Sequence, residues 1–485
     1  MNDTITLGAR ITDILKDIDS FVWGLPLIIL IIVTGIYLSI RVRGLQIRHL
    51  GKALKFMVKN EEGGEGEVTS FGALCTALSA TIGTGNIVGV ATAIAAGGPG
   101  ALFWMLVAAL FGMATKYTEG FLAIKYRTID KEGHVLGGPF YYIENGMGKK
   151  WKWLAKLFAF FGVCVGLMGI GTFTQVNGIA SSVQTFFDPN SQWAVNLFGR
   201  DISWYVVITG AAVTLCTALV VIGGIKRIAK VSEVVVPFMA ITYFLFAILL
   251  VVCNINRIPA AVVQIVQGAF GYGDAIAGIQ AAAGGVLGAM MAAMQNGVAR
   301  GIFSNESGLG SAPIAAAAAK TNDTVRQGLV TMTGTFIDTI IICTMTGISI
   351  IIAGSWADPE LEGVAITMDA FGQGIRFLDP HVSEFILMIC LVFFAFTTIL
   401  GWNYYSERCL EYLTNRKQGV VKAYRWIYVL AVFIGPYLTV EAVWTIADIF
   451  NGLMAIPNII ALIALSGVVA RETNAYFKDP LKNRK

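Results

Sequence analysis

The sequence predicts an all-α polytopic membrane protein of about eleven transmembrane helices. Ten of them form a five-plus-five inverted repeat with two broken helices, and one extra helix stands in front. Three observations carry this reading. Hydrophobic residues make up 56% of the 485-residue chain and charged residues only 14%, where a soluble domain carries about 25% charge. Eleven apolar segments each approach or exceed the ~20 residues needed to cross bilayer hydrocarbon. Basic residues gather in alternate connections between those segments.

The segments run over about 21–40, 68–95, 101–124, 155–187, 204–223, 233–253, 276–303, 327–353, 383–412, 423–440 and 443–469. The first follows a mixed-charge stretch (Asp13, Lys16, Asp17, Asp19), is too long for a signal-peptide core and lacks a small-residue cleavage pattern, so it reads as a span. With eleven spans every basic cluster falls on one side, from Arg41, Arg43 and Arg48 through Lys226, Arg227 and Lys230 to Lys478 and Lys482. That side is the cytoplasm. The link 354–380 lies opposite and is acidic, with Asp358, Glu360, Glu362, Asp369 and Asp379 against Arg376. The N-terminus is expected outside and the C-terminus inside the cell membrane.

The organisation that follows is an extra helix and cytoplasmic link over 1–60, a first repeat over 61–253, a second over 254–470 and a basic cytoplasmic tail over 471–485. Residues 60–67 form a solvated acidic turn, and 254–275 and 354–380 are expected to form short surface helices outside. Seven cysteines without a C-x-x-C pair read as reduced packing residues. His49, His134 and His381 are isolated in polar connections. No histidine cluster, convergent acid pair or serine with a base stands at a usable spacing, so the chain is not read as an enzyme. No nucleotide-binding loop or nucleic-acid surface is visible, and no cofactor is expected beyond a coupling ion.

Gly83-Thr84-Gly85-Asn86 interrupts the second segment. Glycine costs a helix about 1 kcal/mol against alanine, so two in three residues make a break. In a bilayer such unwinding survives only where it is buried or lines a cavity. The half-helix ends then present amides to an anion and carbonyls to a cation, as a secondary transporter requires. If the helix restarts after Gly83, the amides of Thr84 and Gly85 sit at a positive end and can take a carboxylate without a lysine or arginine. Asn86 reads equally as a helix cap or as an oxygen ligand. The second half opens with Gly284-Gly285-Val286-Leu287-Gly288. Paired interruptions in oppositely oriented halves point to an inverted-repeat transporter site.

Three stretches carry a resemblance: Ser79-Ala80-Thr81-Ile82-Gly83-Thr84-Gly85-Asn86, Gly97-Gly98-Pro99-Gly100-Ala101-Leu102-Phe103-Trp104-Met105, and Gly301-Ile302-Phe303-Ser304-Asn305-Glu306-Ser307-Gly308-Leu309-Gly310. From about residue 20 to 470 the chain resembles the alanine or glycine:cation symporters, whose architecture is similar to the leucine-transporter type. The resemblance implies sodium-driven uptake of a small neutral amino acid, alanine or glycine, and places the substrate carboxylate at Thr84 and Gly85. Thr397 and Thr398 look like the hydroxyl pair of the second sodium site, with carbonyls near Ser79 and Ile82 as partners. Phe173 and Gln175 look like substrate contacts from segment four. Trp402, one turn after Thr398, would wall the pocket, and Met290 would close it from segment seven. For a membrane threonine the competing reading is a hydroxyl bonded to its own helix one turn back. For tryptophan or methionine it is packing.

Asp338 lies in the middle of segment eight, where a carboxylate suggests function. With Thr81 and Asn86 it marks a possible further cation site; carrying a proton or a structural hydrogen bond are the other readings. Glu119 is expected to pair with Lys116, and Glu306 to tie down the inner gate. The alternatives to sodium-coupled alanine uptake are a proton-coupled carrier and one preferring glutamine or serine. The oligomeric state is not legible.

Overall fold

The computed structural model describes residues 7–59, 64–131, 133–197 and 200–479. The cationic end of the tail at Lys482, Arg484 and Lys485, and residues 60–63 of the acidic turn, lie outside that range. Among the described residues, nine helical stretches are long and apolar enough to cross a membrane, and two further pairs qualify together across bends of 62° and 94°. The protein is a polytopic all-α membrane protein. Large apolar side chains such as Phe21, Ile40, Val234 and Leu287 are strongly exposed, as expected where lipid is the neighbour.

The helices that build the centre are α1 (Leu7–Val22) and α2 (Leu25–Arg41), then α3 (Ser70–Thr81) and α4 (Val88–Gly97), which flank the first break. Next come α5 (Gly100–Lys125), α6 (Lys152–Met168), α7 (Phe173–Phe187), α8 (Trp204–Val221) and α9 (Gly224–Cys253). The second half holds α10 (Val286–Asn305), α11 (Ala312–Ala317), α12 (Thr324–Thr335), α13 (Thr344–Ala353), α14 (Pro380–Leu413), α15 (Gln418–Ile434) and α16 (Val440–Lys478). Local chemistry sets the ends. Thr69 accepts the Gly72 amide at the start of α3 (2.9 Å), and Asp379 caps α14 through the His381 amide (2.9 Å) ahead of Pro380. Short helices occupy the connections at Ile258–Ala269 and Val364–Gly374, but the second is no surface helix: Ile366, Met368 and Phe371 are buried in the core.

The broken helices run side by side in opposite directions. A Cβ on Gly85 would lie 3.2 Å from Ser304 Cα, and one on Gly97 would lie 3.0 Å from Ala293 Cα. So α4 descends along α10 from one end to the other. Ahead of α3 and after α11 the chain zips together: Glu67 donates to Ala318 O (2.9 Å), Lys320 to Val68 O (2.8 Å) and Thr321 to Glu65 O (3.2 Å). The Arg127 guanidinium gathers the carbonyls of Ala319 (2.7 Å), Thr321 (2.6 Å) and Glu65 (2.8 Å).

Three departures from the sequence reading matter for the site. The 94° bend does fall at Gly284 and Gly285, whose φ values are +79° and +106°. The chain breaks again just beyond segment seven, at 306–311, however, with Glu306, Gly308 and Gly310 at φ +56°, +92° and +81°, and this second break is the one that lies beside the first, where Gly85 meets Ser304. Segment four is not one helix: it parts at Gly169–Thr172 between α6 and α7. Segment eight carries a π-helical stretch, Phe336–Cys343, around Asp338, a distortion frequent at functional sites.

Candidate binding site at the helix breaks

Helix α3 stops at Thr81 because the chain turns extended at Gly83 (φ −141°, ψ −151°). No side chain fits there: a Cβ would stand 2.5 Å from Thr398 Oγ1 and 2.8 Å from Gln175 Oε1. The freed backbone groups find partners, as a buried break demands. The Gly83 amide donates to Asn86 Oδ1 (2.9 Å), and the Thr84 amide donates to Gln175 Oε1 (3.0 Å). Gln175 is held in turn through its Nε2 by the Ile170 carbonyl (3.0 Å), which the break in segment four exposes. The Thr84 hydroxyl is buried without a hydrogen-bond partner. A donor left so is a ready contact for an incoming oxygen.

Asp338 joins the two breaks. Its carboxylate accepts from Asn86 Nδ2 (2.7 Å), Ser304 Oγ (2.8 Å) and Thr339 Oγ1 (2.7 Å), and its carbonyl also takes Asn86 Nδ2 (3.1 Å). Asn86 therefore spends its carboxamide oxygen on Gly83 and its nitrogen on Asp338. Thr81 Oγ1 bonds back to Ala77 O (3.2 Å) and Leu78 O (3.3 Å). Of the possible further cation site, the structure brings Asn86 and Asp338 together as a hydrogen-bonded clamp and leaves Thr81 on its own helix.

At the second break Glu306 takes the Trp402 indole N–H on Oε1 (2.7 Å) and the Ser311 hydroxyl on Oε2. Glu119 holds the same loop from α5, accepting from Gly308 N (3.1 Å), Gly310 N (3.2 Å) and Asn458 Nδ2 (2.7 Å). Glu119 and Lys116 do not form the direct pair expected from their spacing, since the Lys116 ammonium has no hydrogen-bond partner.

For a cation the relevant oxygens lie where α3 ends, since its last carbonyls have no donor in a following turn. Thr398 Oγ1 reaches Ile82 O (3.2 Å) as well as Phe394 O (3.0 Å) on its own helix. Thr397 instead bonds Phe393 O (3.1 Å) and Phe394 O (3.0 Å) and lies 3.5 Å from Met239 Sδ. Ser79 Oγ returns to Thr76 O (2.8 Å). The two threonines are thus unequal: Thr398 alone of the pair touches the broken helix with its hydroxyl.

Two expected contacts sit elsewhere. Phe173 opens α7 half-buried, and Gly435 packs against its backbone, where a Cβ on Gly435 would lie 3.3 Å from Phe173 Cα. Phe173 therefore stands on a different face of α7 from Gln175. Met290 lies fourteen residues before Ser304 on the same helix, roughly 21 Å at 1.5 Å per residue. It is past Gly97, the far end of α4, because reading the break at Gly284–Gly288 put the site at the wrong end of α10. The run Ser304–Ser311 carried the missing signal: Gly308 and Gly310 repeat the two-in-three spacing of Gly83 and Gly85.

Charged groups pair near both ends of the broken helices. At one end Arg300 grips Asp448 in a two-pronged pair (3.1 and 2.8 Å) and lies 4.9 Å from the Trp444 ring centre. At the other, Glu67 ahead of α3 meets His134 (3.1 Å) and Arg408 (3.4 Å), and Arg408 meets Glu411 (2.8 Å). Hydrogen bonds to Glu411 and Glu67 outweigh burial and push His134 up to about 9, so a histidine isolated in the sequence is drawn into a charged cluster by the fold.

A family model described as the sodium:alanine symporter family matches residues 8–485. The sodium/alanine symporter AgcS of Methanococcus maripaludis is 46% identical over 472 residues, covering 96% of each chain. The probable sodium/glutamine symporter GlnT of Bacillus subtilis is 36% identical over 482 residues, covering 96% of this chain and 93% of its own. The crystal structure of MhsT in complex with L-phenylalanine superposes with a TM-score of 0.55 at 14% identity, over 85% of this chain and 99% of that one, a likeness of fold.

The Asn86–Asp338 contact should show as energetic coupling. Asn86→Ala and Asp338→Asn each should cost roughly 1–3 kcal/mol, the range for a hydrogen bond to a charged group. The double variant should lose less than the sum by about 1 kcal/mol or more. Unfolding in mixed micelles measures this, and additive losses would show that the contact is not a clamp.

Proposed function

The chain belongs to the sodium:alanine symporter family, an amino-acid:cation symporter and not an enzyme, and we propose that it imports alanine together with sodium. The observation that carries this is the first break, where Thr398 Oγ1 meets the Ile82 carbonyl (3.2 Å) beside the buried, unpartnered Thr84 hydroxyl. Acceptors for a hard cation and donors for a carboxylate stand back to back at one interrupted helix. Sodium is held by Ile82 O, Thr398 Oγ1 and the neighbouring carbonyls from Ser79 onward. The substrate carboxylate takes the Thr84 hydroxyl and the Gly85 amide and competes with Gln175 for the Thr84 amide. Trp402, fixed by Glu306, is a stiff wall that favours a methyl-sized side chain. Glutamine is the second reading for the substrate, favoured by the relative that bears that name.

The driving force suffices. One sodium moving inward releases about 2.3 kcal/mol per 100 mV, and a tenfold gradient adds roughly 1.4 kcal/mol. Together these support accumulation by roughly a few hundredfold. The basic connections place the N-terminus outside and the C-terminus in the cytoplasm, so the zipped ends of α3 and α11 face inward and the Arg300–Asp448 pair faces outward.

Two outcomes check this reading. Thr398→Ala should raise the sodium concentration for half-maximal uptake by roughly tenfold, about one hydrogen-bond-sized interaction, while Thr397→Ala changes it far less; equal effects, or none from Thr398, would remove the ion from this place. With the exposed Cys216 replaced, a cysteine at Lys131 should react only with reagents that enter the cell, and one at Glu360 with impermeant reagents outside. The reverse pattern would invert the orientation.

A further inference from the structure

Lys116 stands in the middle of α5, 2% exposed, and its ammonium makes no hydrogen bond. Its neighbours on the same stripe of the helix show what it faces. A Cβ on Gly112, one turn earlier, would lie 2.9 Å from Ser307 Oγ. Glu119, three residues later, accepts the Gly308 and Gly310 amides. Residues three and four apart share a helix face, so Lys116 is presented to the second break between these two contacts. The same break is held by three fully buried carboxyl groups: Glu119 through the Gly308 and Gly310 amides, Glu306 through Ser311, and Asp338 through Ser304 at its lip. One further atom of this group lacks a partner, Glu119 Oε2. The breaks are therefore surrounded by three carboxylates and one ammonium, and buried charge left without compensation is strongly unfavourable.

We propose that Lys116 is the tethered counter-cation of the second helix break, supplying the positive charge that Glu119, Glu306 and Asp338 would otherwise take from an additional mobile cation, and that it thereby sets how many cations travel with each amino acid. This rests on the symport reading above. Lys116 is a positioning and charge-setting residue; it does not touch the substrate. Removing its charge creates a requirement for one more monovalent cation, a sodium ion or a proton. Keeping the charge on another side chain does not.

The test is equilibrium binding of labelled alanine to purified wild type, Lys116→Gln and Lys116→Arg in proteoliposomes, as a function of sodium at several pH values. Wild type and Lys116→Arg should share one steepness of sodium activation. In Lys116→Gln the Hill coefficient for sodium should rise by about one; if a proton is the replacement, alanine affinity should instead fall up to about tenfold per pH unit at fixed sodium. A Lys116→Gln protein with wild-type steepness and wild-type pH dependence would overturn the proposal. If Lys116→Gln is not recovered folded, Lys116→Gln combined with Glu119→Gln removes opposite charges together, since a glutamine there still accepts the Gly308 and Gly310 amides. Recovery of alanine binding in that double variant supports charge compensation; its equal loss would assign Lys116 to packing and overturn the proposal. Absence of sodium-dependent alanine binding in wild type would sink the symport reading itself, and this inference with it.

Discussion

One carboxylate holds the centre of this protein together. Asp338 accepts from Asn86 at the first helix break and from Ser304 at the lip of the second, so two interruptions some 220 residues apart in the chain share a single buried charge. A membrane interior does not forgive unwound backbone, and a carboxylate there is retained only with several donors aimed at it. The π-helical stretch over Phe336–Cys343 widens the helix where Asp338 projects. Once the clamp is set, the rest follows by contact. Gly83 must be bare so that Thr398 and Gln175 can close on it, and Gly85 must be bare so that α10 can.

The outer parts of the machine are tied to that clamp through short polar relays. Glu306 connects the second break to α14 through Trp402, and Glu119 fixes the same loop from α5. At the basic end the lead-in to α3 and the exit from α11 are zipped into one unit under Arg127, and Glu67 latches this unit to α14 through Arg408 and His134. At the opposite end Arg300 and Asp448 join α10 to α16. Two ion-pair clusters thus flank the fully buried break, one toward each end of the helices that form it.

Much of the fold and part of the site were legible in the sequence, for identifiable reasons. Span number follows from the length of apolar runs, and the first break follows from two glycines in three residues. Thr398 was singled out through the family resemblance, and the structure sets its hydroxyl 3.2 Å from Ile82 O at that break. Thr397 was not separable from it, since adjacent helix residues differ by rotation alone, and only packing decides which one faces α3. Met290 was misplaced because Gly284 and Gly285 give the same composition signal as a substrate-site break, and no local pattern tells which of two glycine pairs lies opposite Gly83. The break at Gly169–Thr172 escaped for a related reason. Gly169 and Gly171 do repeat the two-in-three spacing, but the long apolar run around them reads as one span, and in the fold Tyr428 holds the opened turn through Gly171 O (2.8 Å).

The claim at the centre is that one buried break holds an amino acid and sodium together, and uptake of radiolabelled alanine into proteoliposomes meets it most directly. With an inward sodium gradient, labelled alanine should accumulate above its external concentration, and unlabelled alanine should compete better than serine, valine or glutamine. Replacing sodium by potassium at the same pH and membrane potential should abolish accumulation. Undiminished accumulation in potassium, driven by a proton gradient alone, would contradict sodium coupling; preferential competition by glutamine would contradict the assignment of alanine.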